Sequence, residues 1–99
     1  MRVLVTEKIN DAGLQCLRDA GHDVDVKLGL SVEELNKEIK GAHALIIRSD
    51  TQVTAELLEN ADVLKAVGRA GVGVDNIDAQ AATARGVMVI NAPTSNITS

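Results

Sequence analysis

Ninety-nine residues, 45% of them apolar, match one globular domain with a single core. Fourteen acids against ten bases leave a formal charge of −4, which excludes a basic nucleic-acid footprint. The chain has no Phe, Tyr or Trp to stack on a base or a flavin, and its lone cysteine, Cys16, permits neither an internal disulfide nor a cysteine-based zinc site.

Residues 2–6 read as a first strand, and since the segment turns polar at Thr6-Glu7-Lys8 it is not expected to be a secretory h-region. A helical segment comes next, with Ile9, Gly13, Leu17 and Ala20 on one face and Cys16 beside them as a small buried hydrophobe. Gly21 stops it. Residues 24–28 alternate, with Asp25 and Lys27 outward, and read as an edge strand. Ser31-Val32-Glu33-Glu34 then opens a second helix with a capping box, lined inward by Val32, Leu35 and Ile39 and stopped by Gly41. Residues 44–47 form an unbroken apolar strand. Thr54 caps a third helix whose Leu58 and Ala61 face inward, and which ends at Asn60 or Ala61 without a glycine. A weaker strand spans 64–67, and Asp78 caps a fourth helix through Ala81 and Ala82 to Arg85, before Gly86. Residues 87–90 form the fifth strand. The remaining nine residues are turn-formers with no closing helix, so this edge reads as cut.

Strict β-α alternation implies a parallel sheet with right-handed crossovers. The fold expected is a flavodoxin-like three-layer sandwich, one domain over 1–99, with a five-stranded parallel sheet in the order 2-1-3-4-5. The longest apolar runs hold four or five residues, against roughly 20 for a bilayer span, so no membrane partner and a cytoplasmic location are expected.

Ligands of such sheets bind beyond the carboxyl ends of the strands. Arg48 and Arg69 stand there after neighbouring strands, next to the glycine turn Gly71-Val72-Gly73. Guanidinium forks and converging backbone amides suit a carboxylate or phosphate, so a small anionic ligand is expected. Plainer readings stay open here: Arg48 as a solvated surface charge paired with Asp50 or Asp75, Arg69 likewise as a surface charge, and Gly71 and Gly73 as a mere turn. Gly-Arg-Ala-Gly-Val-Gly is not G-x-G-x-x-G and does not follow the first strand, so no dinucleotide pyrophosphate site lies within the chain. His22 and His43 fall at the opposite edge in structural or surface roles, Glu33, Glu34 and Glu38 form a solvated face, and no metal cluster or nucleophile with a base is spaced to close.

Three segments together, in order, carry a resemblance: Ala44-Leu45-Ile46-Ile47-Arg48-Ser49, then Leu64-Lys65-Ala66-Val67-Gly68-Arg69-Ala70-Gly71-Val72-Gly73-Val74-Asp75-Asn76-Ile77-Asp78, then Ala81-Ala82-Thr83-Ala84-Arg85-Gly86-Val87 leading to Asn91-Ala92-Pro93-Thr94-Ser95-Asn96. The chain so resembles the amino-terminal substrate-binding lobe of the D-2-hydroxyacid dehydrogenase family, in the branch that oxidises 3-phosphoglycerate on entry to serine biosynthesis. The resemblance implies an NAD-dependent two-lobe oxidoreductase, usually a homo-oligomer. The family's catalytic arginine, glutamate and histidine and its NAD fingerprint lie beyond the matched segment. The isolated chain is therefore expected to bind without turnover. Carried over by position, Arg48 would hold the substrate phosphate with Ser49 alongside and Arg69 adding positive charge. Amides of Gly71, Val72 and Gly73 would receive the carboxylate, Val72 would lie near the nicotinamide of NAD, and Asn96 would face the cleft. Some relatives carry a second basic residue where this chain has Asp50, which leaves room for a different 2-hydroxy acid.

Two other functions compete. A receiver-like phosphorylation domain would need acids clustered after the first and third strands and a lysine after the fifth. Here the third strand leads into Arg48-Ser49 and the fifth into Asn91-Ala92-Pro93. A stand-alone oligomerisation or regulatory module remains the alternative, since five strands can close a core by themselves.

Overall fold

The computed structural model describes residues 1–9, 11–48, 50–70 and 76–92. Strands and helices alternate as β1 (Arg2–Val5), α1 (Asp11–Asp19), β2 (Asp23–Val26), α2 (Val32–Glu38), β3 (Ala44–Ile47), α3 (Ala55–Asn60), β4 (Ala66–Ala70), α4 (Ala79–Ala84) and β5 (Met88–Ala92). The strands form one sheet in the order β2-β1-β3-β4-β5, every pair parallel. The flavodoxin-like sandwich expected from the alternation is the fold observed.

Side chains alternate between the two faces of a strand, so the sheet builds two apolar clusters. Leu4, Leu45, Ile47 and Val67 pack with Leu35, Leu57, Leu58 and Ala82, which places α2, α3 and α4 on one face. Val3, Val5, Val24, Ala44 and Ile46 pack with Leu14 and Leu17, which places α1 on the other. Leu4, Leu45 and Leu58 are fully buried; burial of that kind stabilises by about 1.5–3 kcal/mol per side chain.

Helix starts follow the local chemistry. Ser31 and Glu34 complete the capping box, the Thr54 hydroxyl accepts from the Leu57 amide, and the Asp78 carboxylate accepts from that of Ala81. Gly21, Gly41 and Gly86 each take a positive φ after a helix, whereas α3 closes on Ala61 with no glycine.

Several boundaries and faces depart from expectation. β2 pairs over Asp23–Val26 rather than 24–28, although the Lys27 amide still reaches the Val5 carbonyl at 2.8 Å. β4 runs Ala66–Ala70 rather than 64–67, because pairing with β3 and β5 carries the ladder through Gly68 and Arg69. The glycine fits there for a steric reason: a Cβ at Gly68 would stand 3.1 Å from Cδ1 of Ile46. β5 likewise spans Met88–Ala92 rather than 87–90, since the Val87 amide bonds back to the Ala82 carbonyl.

α1 turns Leu14 into the core, and Cys16 is exposed rather than buried. Two residues beyond Leu14 is roughly 200° around the helix, which carries Cys16 away from the sheet. Ala20 is exposed as well. Val32 is 69% exposed although Leu35 and Ile39 are buried. The first turn of α2 stands at the carboxyl rim of the sheet, where Val32 borders a cleft instead of a strand.

At the amino edge, Arg2 does structural work. Its Nε donates to Asp25 at 2.8 Å, and its Nη1 donates to the carbonyls of Glu38 and Lys40, both at 3.2 Å. A cation thus meets the orphan carbonyls at the end of α2. His43 has the structural role expected, with Nδ1 accepting the Arg2 amide at 3.2 Å.

Candidate functional site

A parallel sheet delivers the ends of all its strands to one rim, and here the rim above β1 and β3 opens into a cleft of about 580 Å³. Thr6, Glu7 and Lys8 follow β1, residues 28–31 follow β2, and Arg48, Asp50, Thr51 and Gln52 follow β3. Leu30, Leu35 and Leu57 give the cleft an apolar wall, while Lys8 and Arg48 oppose Glu7 and Asp50 in charge.

The negative charge of Glu7 is directed at the backbone. Its Oε2 accepts the amides of Arg48 at 2.5 Å and Thr51 at 3.0 Å, and its Oε1 accepts that of Asp50 at 2.9 Å. Burial pushes this carboxyl up, but the amides of Arg48, Asp50 and Thr51, together with the Thr51 hydroxyl, outweigh it and hold Glu7 below the ordinary glutamate value. A turn of converging N–H groups is a usual anion site, and in this loop an internal carboxylate fills it.

Asn76 grips the same loop from the other side. Its Nδ2 donates to the carbonyls of Arg48 and Thr51, both at 2.6 Å, and the residue is only 8% exposed. Two carbonyl partners require the amine end of the amide, which settles its orientation. The Asn76 carbonyl accepts from the Val53 amide at 2.8 Å, next to a parallel bridge between Val53 and Ile77. The hydroxyls of Thr6 and Thr51 meet at 2.8 Å.

Arg48 is exposed at this rim, its Nη1 donating to the Lys8 carbonyl at 3.3 Å. Among the described residues it forms no ion pair with Asp50. Its other proposed partner, Asp75, lies outside the described residues.

Arg69 belongs to β4 itself rather than to the loop beyond it, in register with Ile47 and Asn91. It is half-buried and is not among the residues lining the cleft, so the described structure does not bring the two arginines into one pocket. Extension of β4 through Ala70 draws Arg69 into the ladder, where the pleat places it on the face of Val67. Ser49, Gly71, Val72, Gly73 and Asn96 lie outside the described residues. Among those described, no cluster of His, Cys, Asp and Glu could hold a metal, and no helix is long and apolar enough to cross a membrane.

Sequence reasoning missed Glu7 and Asn76. A carboxylate two residues past the first strand, beside the end of the third in a 2-1-3 sheet, is the signal that could have exposed Glu7. Asn76 stands two residues before the capping Asp78, and only the long-range contact with 48–51 shows what its side chain does.

Comparisons with known proteins bear on this geometry. The chain is 55% identical over 96 residues to the chloroplastic D-3-phosphoglycerate dehydrogenase 2 of Arabidopsis thaliana, covering 96% of this chain and 15% of that protein. It is 50% identical over 96 residues to D-3-phosphoglycerate dehydrogenase of Archaeoglobus fulgidus, covering 97% of this chain and 18% of that one. It therefore spans less than a fifth of the length of these relatives. A crystal structure from Pyrococcus horikoshii superimposes with a TM-score of 0.87 at 36% identity, over 92% of this chain and 27% of the other. The NAD+-bound 3-phosphoglycerate dehydrogenase of Entamoeba histolytica does so with a TM-score of 0.82 at 28% identity, over 92% and 32%. A catalytic-domain family model matches residues 3–99, and the chain belongs to the D-isomer specific 2-hydroxyacid dehydrogenases.

Proposed function

We propose that this chain is the substrate-binding lobe of an NAD-dependent dehydrogenase that oxidises 3-phosphoglycerate to 3-phosphohydroxypyruvate, the first step of serine biosynthesis. One observation carries the reading: an exposed arginine, Arg48, stands at the carboxyl rim of a parallel sheet beside a cleft, on a loop held at both its amides and its carbonyls. A guanidinium so placed offers a donor fork to a phosphate. The relatives named D-3-phosphoglycerate dehydrogenase support that choice of anion. In this reading Ser49, the amides of Gly71, Val72 and Gly73, and Asn96 complete the pocket, and Arg69, which does not line the cleft, adds at most positive charge from β4. Asp50, where some relatives carry a base, weakens the grip on the phosphate.

NAD does not fit the described residues. The loop after β1 is Thr6-Glu7-Lys8, with no glycine turn for a pyrophosphate, and its carboxylate already fills the nearest backbone amides. The cofactor and the hydride step are assigned to a part of the protein outside this chain, with Val72 approaching the nicotinamide. This chain binds and orients the acid, and by itself it does not reduce NAD. The whole enzyme is read as a cytoplasmic homo-oligomer.

An NMR titration with 3-phosphoglycerate tests the reading. The amides of Arg48, Asp50 and Thr51 are expected to shift first, and no NAD reduction is expected from the chain alone. Shifts confined to the amino-edge turns at Gly21, Gly41 and Gly86 would overturn the site, and turnover would overturn the binding-only role.

One observation favours the alternative of a self-associating module. Met88 and Ile90, 64% and 46% exposed, lie on the edge strand β5. A tight, symmetric dimer of the chain at micromolar concentration, seen by light scattering, would strengthen that reading.

A further inference from the structure

We propose that Glu7 and Asn76 are positioning residues that hold the loop after β3 from two sides and so fix where Arg48 meets an anion. The inference rests on Arg48 as the anion contact.

The loop is gripped at complementary groups. Glu7 takes the N–H of Arg48, Asp50 and Thr51, and Asn76 gives its two amide protons to the C=O of Arg48 and Thr51. Arg48 thus has both its N–H and its C=O held by side chains from outside its own loop. None of these five bonds belongs to the sheet ladder. β1 pairs through Val5, and the main chain of Asn76 is held separately, by its carbonyl on the Val53 amide and by the adjoining bridge of Ile77 to Val53. The two side chains are therefore tied to the placement of the loop rather than to the assembly of the fold.

The arrangement also decides what the loop can offer a ligand. Its amides at Arg48, Asp50 and Thr51 face Glu7, so an incoming anion meets the Arg48 side chain and not those N–H groups. Hydrogen bonds from the loop hold the Glu7 carboxyl below its ordinary value against the effect of burial, so it is an ionised acceptor at neutral pH. A charged guanidinium gives directional binding only where its backbone does not move, since a shift of about 1 Å can cost on the order of 100-fold in a positioned interaction.

Two near-isosteric changes test this in the chain itself. Glu7→Gln turns an –NH2 towards an amide N–H, and Asn76→Asp sets a carboxylate against two carbonyls. Dissociation constants for sulfate and for 3-phosphoglycerate at neutral pH, with the thermal midpoint alongside, give the readout. Each variant is expected to weaken both anions by about 10-fold or more. Arg48→Ala is expected to weaken the same binding by roughly 10- to 100-fold, and Glu7→Gln is expected to add nothing on that background, as coupled residues are non-additive. A residue acting only on stability would move the thermal midpoint and leave the affinity of the folded fraction unchanged.

Wild-type affinity in both Glu7→Gln and Asn76→Asp, with binding weakened in Arg48→Ala, overturns the inference and leaves the reading of Arg48 standing. Wild-type affinity in Arg48→Ala overturns that reading and the inference with it. Should the isosteres not fold, Glu7→Asp keeps the charge and withdraws it by one methylene. Weaker sulfate binding by that variant supports the inference, and unchanged binding overturns it.

Discussion

Glu7 and Arg48 carry opposite charges at one rim of the sheet, yet they meet through the backbone: the Glu7 carboxylate accepts the Arg48 amide, while the guanidinium turns to the Lys8 carbonyl at 3.3 Å. A direct ion pair would have neutralised the arginine. Contact through the peptide holds the residue in place and leaves its fork of donors available at the cleft.

The depressed Glu7 carboxyl links stability to pH. A group whose folded pKa lies below its unfolded value contributes stability that is complete above the unfolded value and lost as the pH falls through the folded one. With an ordinary value of 4.5, the urea midpoint is expected to be flat near neutrality and to decline below about pH 4.5. Glu34, through the Ser31 amide, and Asp62, through that of Gly41, act with the same sign. Glu7→Gln is expected to flatten part of that acid limb; a limb as steep as in the unmodified chain contradicts the assignment.

Arg48 separates binding from stability. Its side chain is exposed and makes one long hydrogen bond, so Arg48→Ala is expected to change stability by no more than about 0.5 kcal/mol. The same change removes a charge-assisted contact of about 1.5–3 kcal/mol, roughly 10- to 100-fold in affinity for 3-phosphoglycerate. Arg48→Lys keeps the charge but loses the planar fork and is expected to fall between. Isothermal titration alongside urea denaturation checks all three.

Two apolar residues should differ sharply in their response to truncation to alanine. Leu45 is fully buried at the centre of the sheet, and Leu45→Ala is expected to cost about 2–5 kcal/mol, a large part of the stability of a small domain. Val32 is 69% exposed, and Val32→Ala is expected to stay within about 0.5 kcal/mol. Chemical denaturation compares the two directly.

Cys16 is exposed on α1, so a thiol reagent is expected to label it in the folded chain. Labelling should leave the circular dichroism spectrum unchanged, because the thiol supports no core contact. Reaction only after unfolding would show the sulfur to be buried.

Strand alternation, β-branched runs and cap residues were enough to read the topology. Ser31, Thr54 and Asp78 cap the helices they were expected to cap, and Gly21, Gly41 and Gly86 close them, because caps depend on neighbours three or four residues away. Arg48 was legible for a similar reason, since the end of an apolar strand marks the carboxyl rim. Strand ends were harder. β4 runs on through Gly68 and Arg69 because two neighbouring strands pair with it, and no local pattern reports that pairing.

The order of elements and the parallel sheet followed from the sequence alone, as hydrophobic periodicity and capping are short-range properties of the chain. Tertiary structure alone decided that Arg69 joins a strand and that Cys16 faces outward. It alone showed Glu7 and Asn76, 41 and 28 residues from Arg48, closing on the same loop. Those outcomes depend on which backbone donors and acceptors remain unpaired once the sheet has formed, and that remainder exists only in three dimensions.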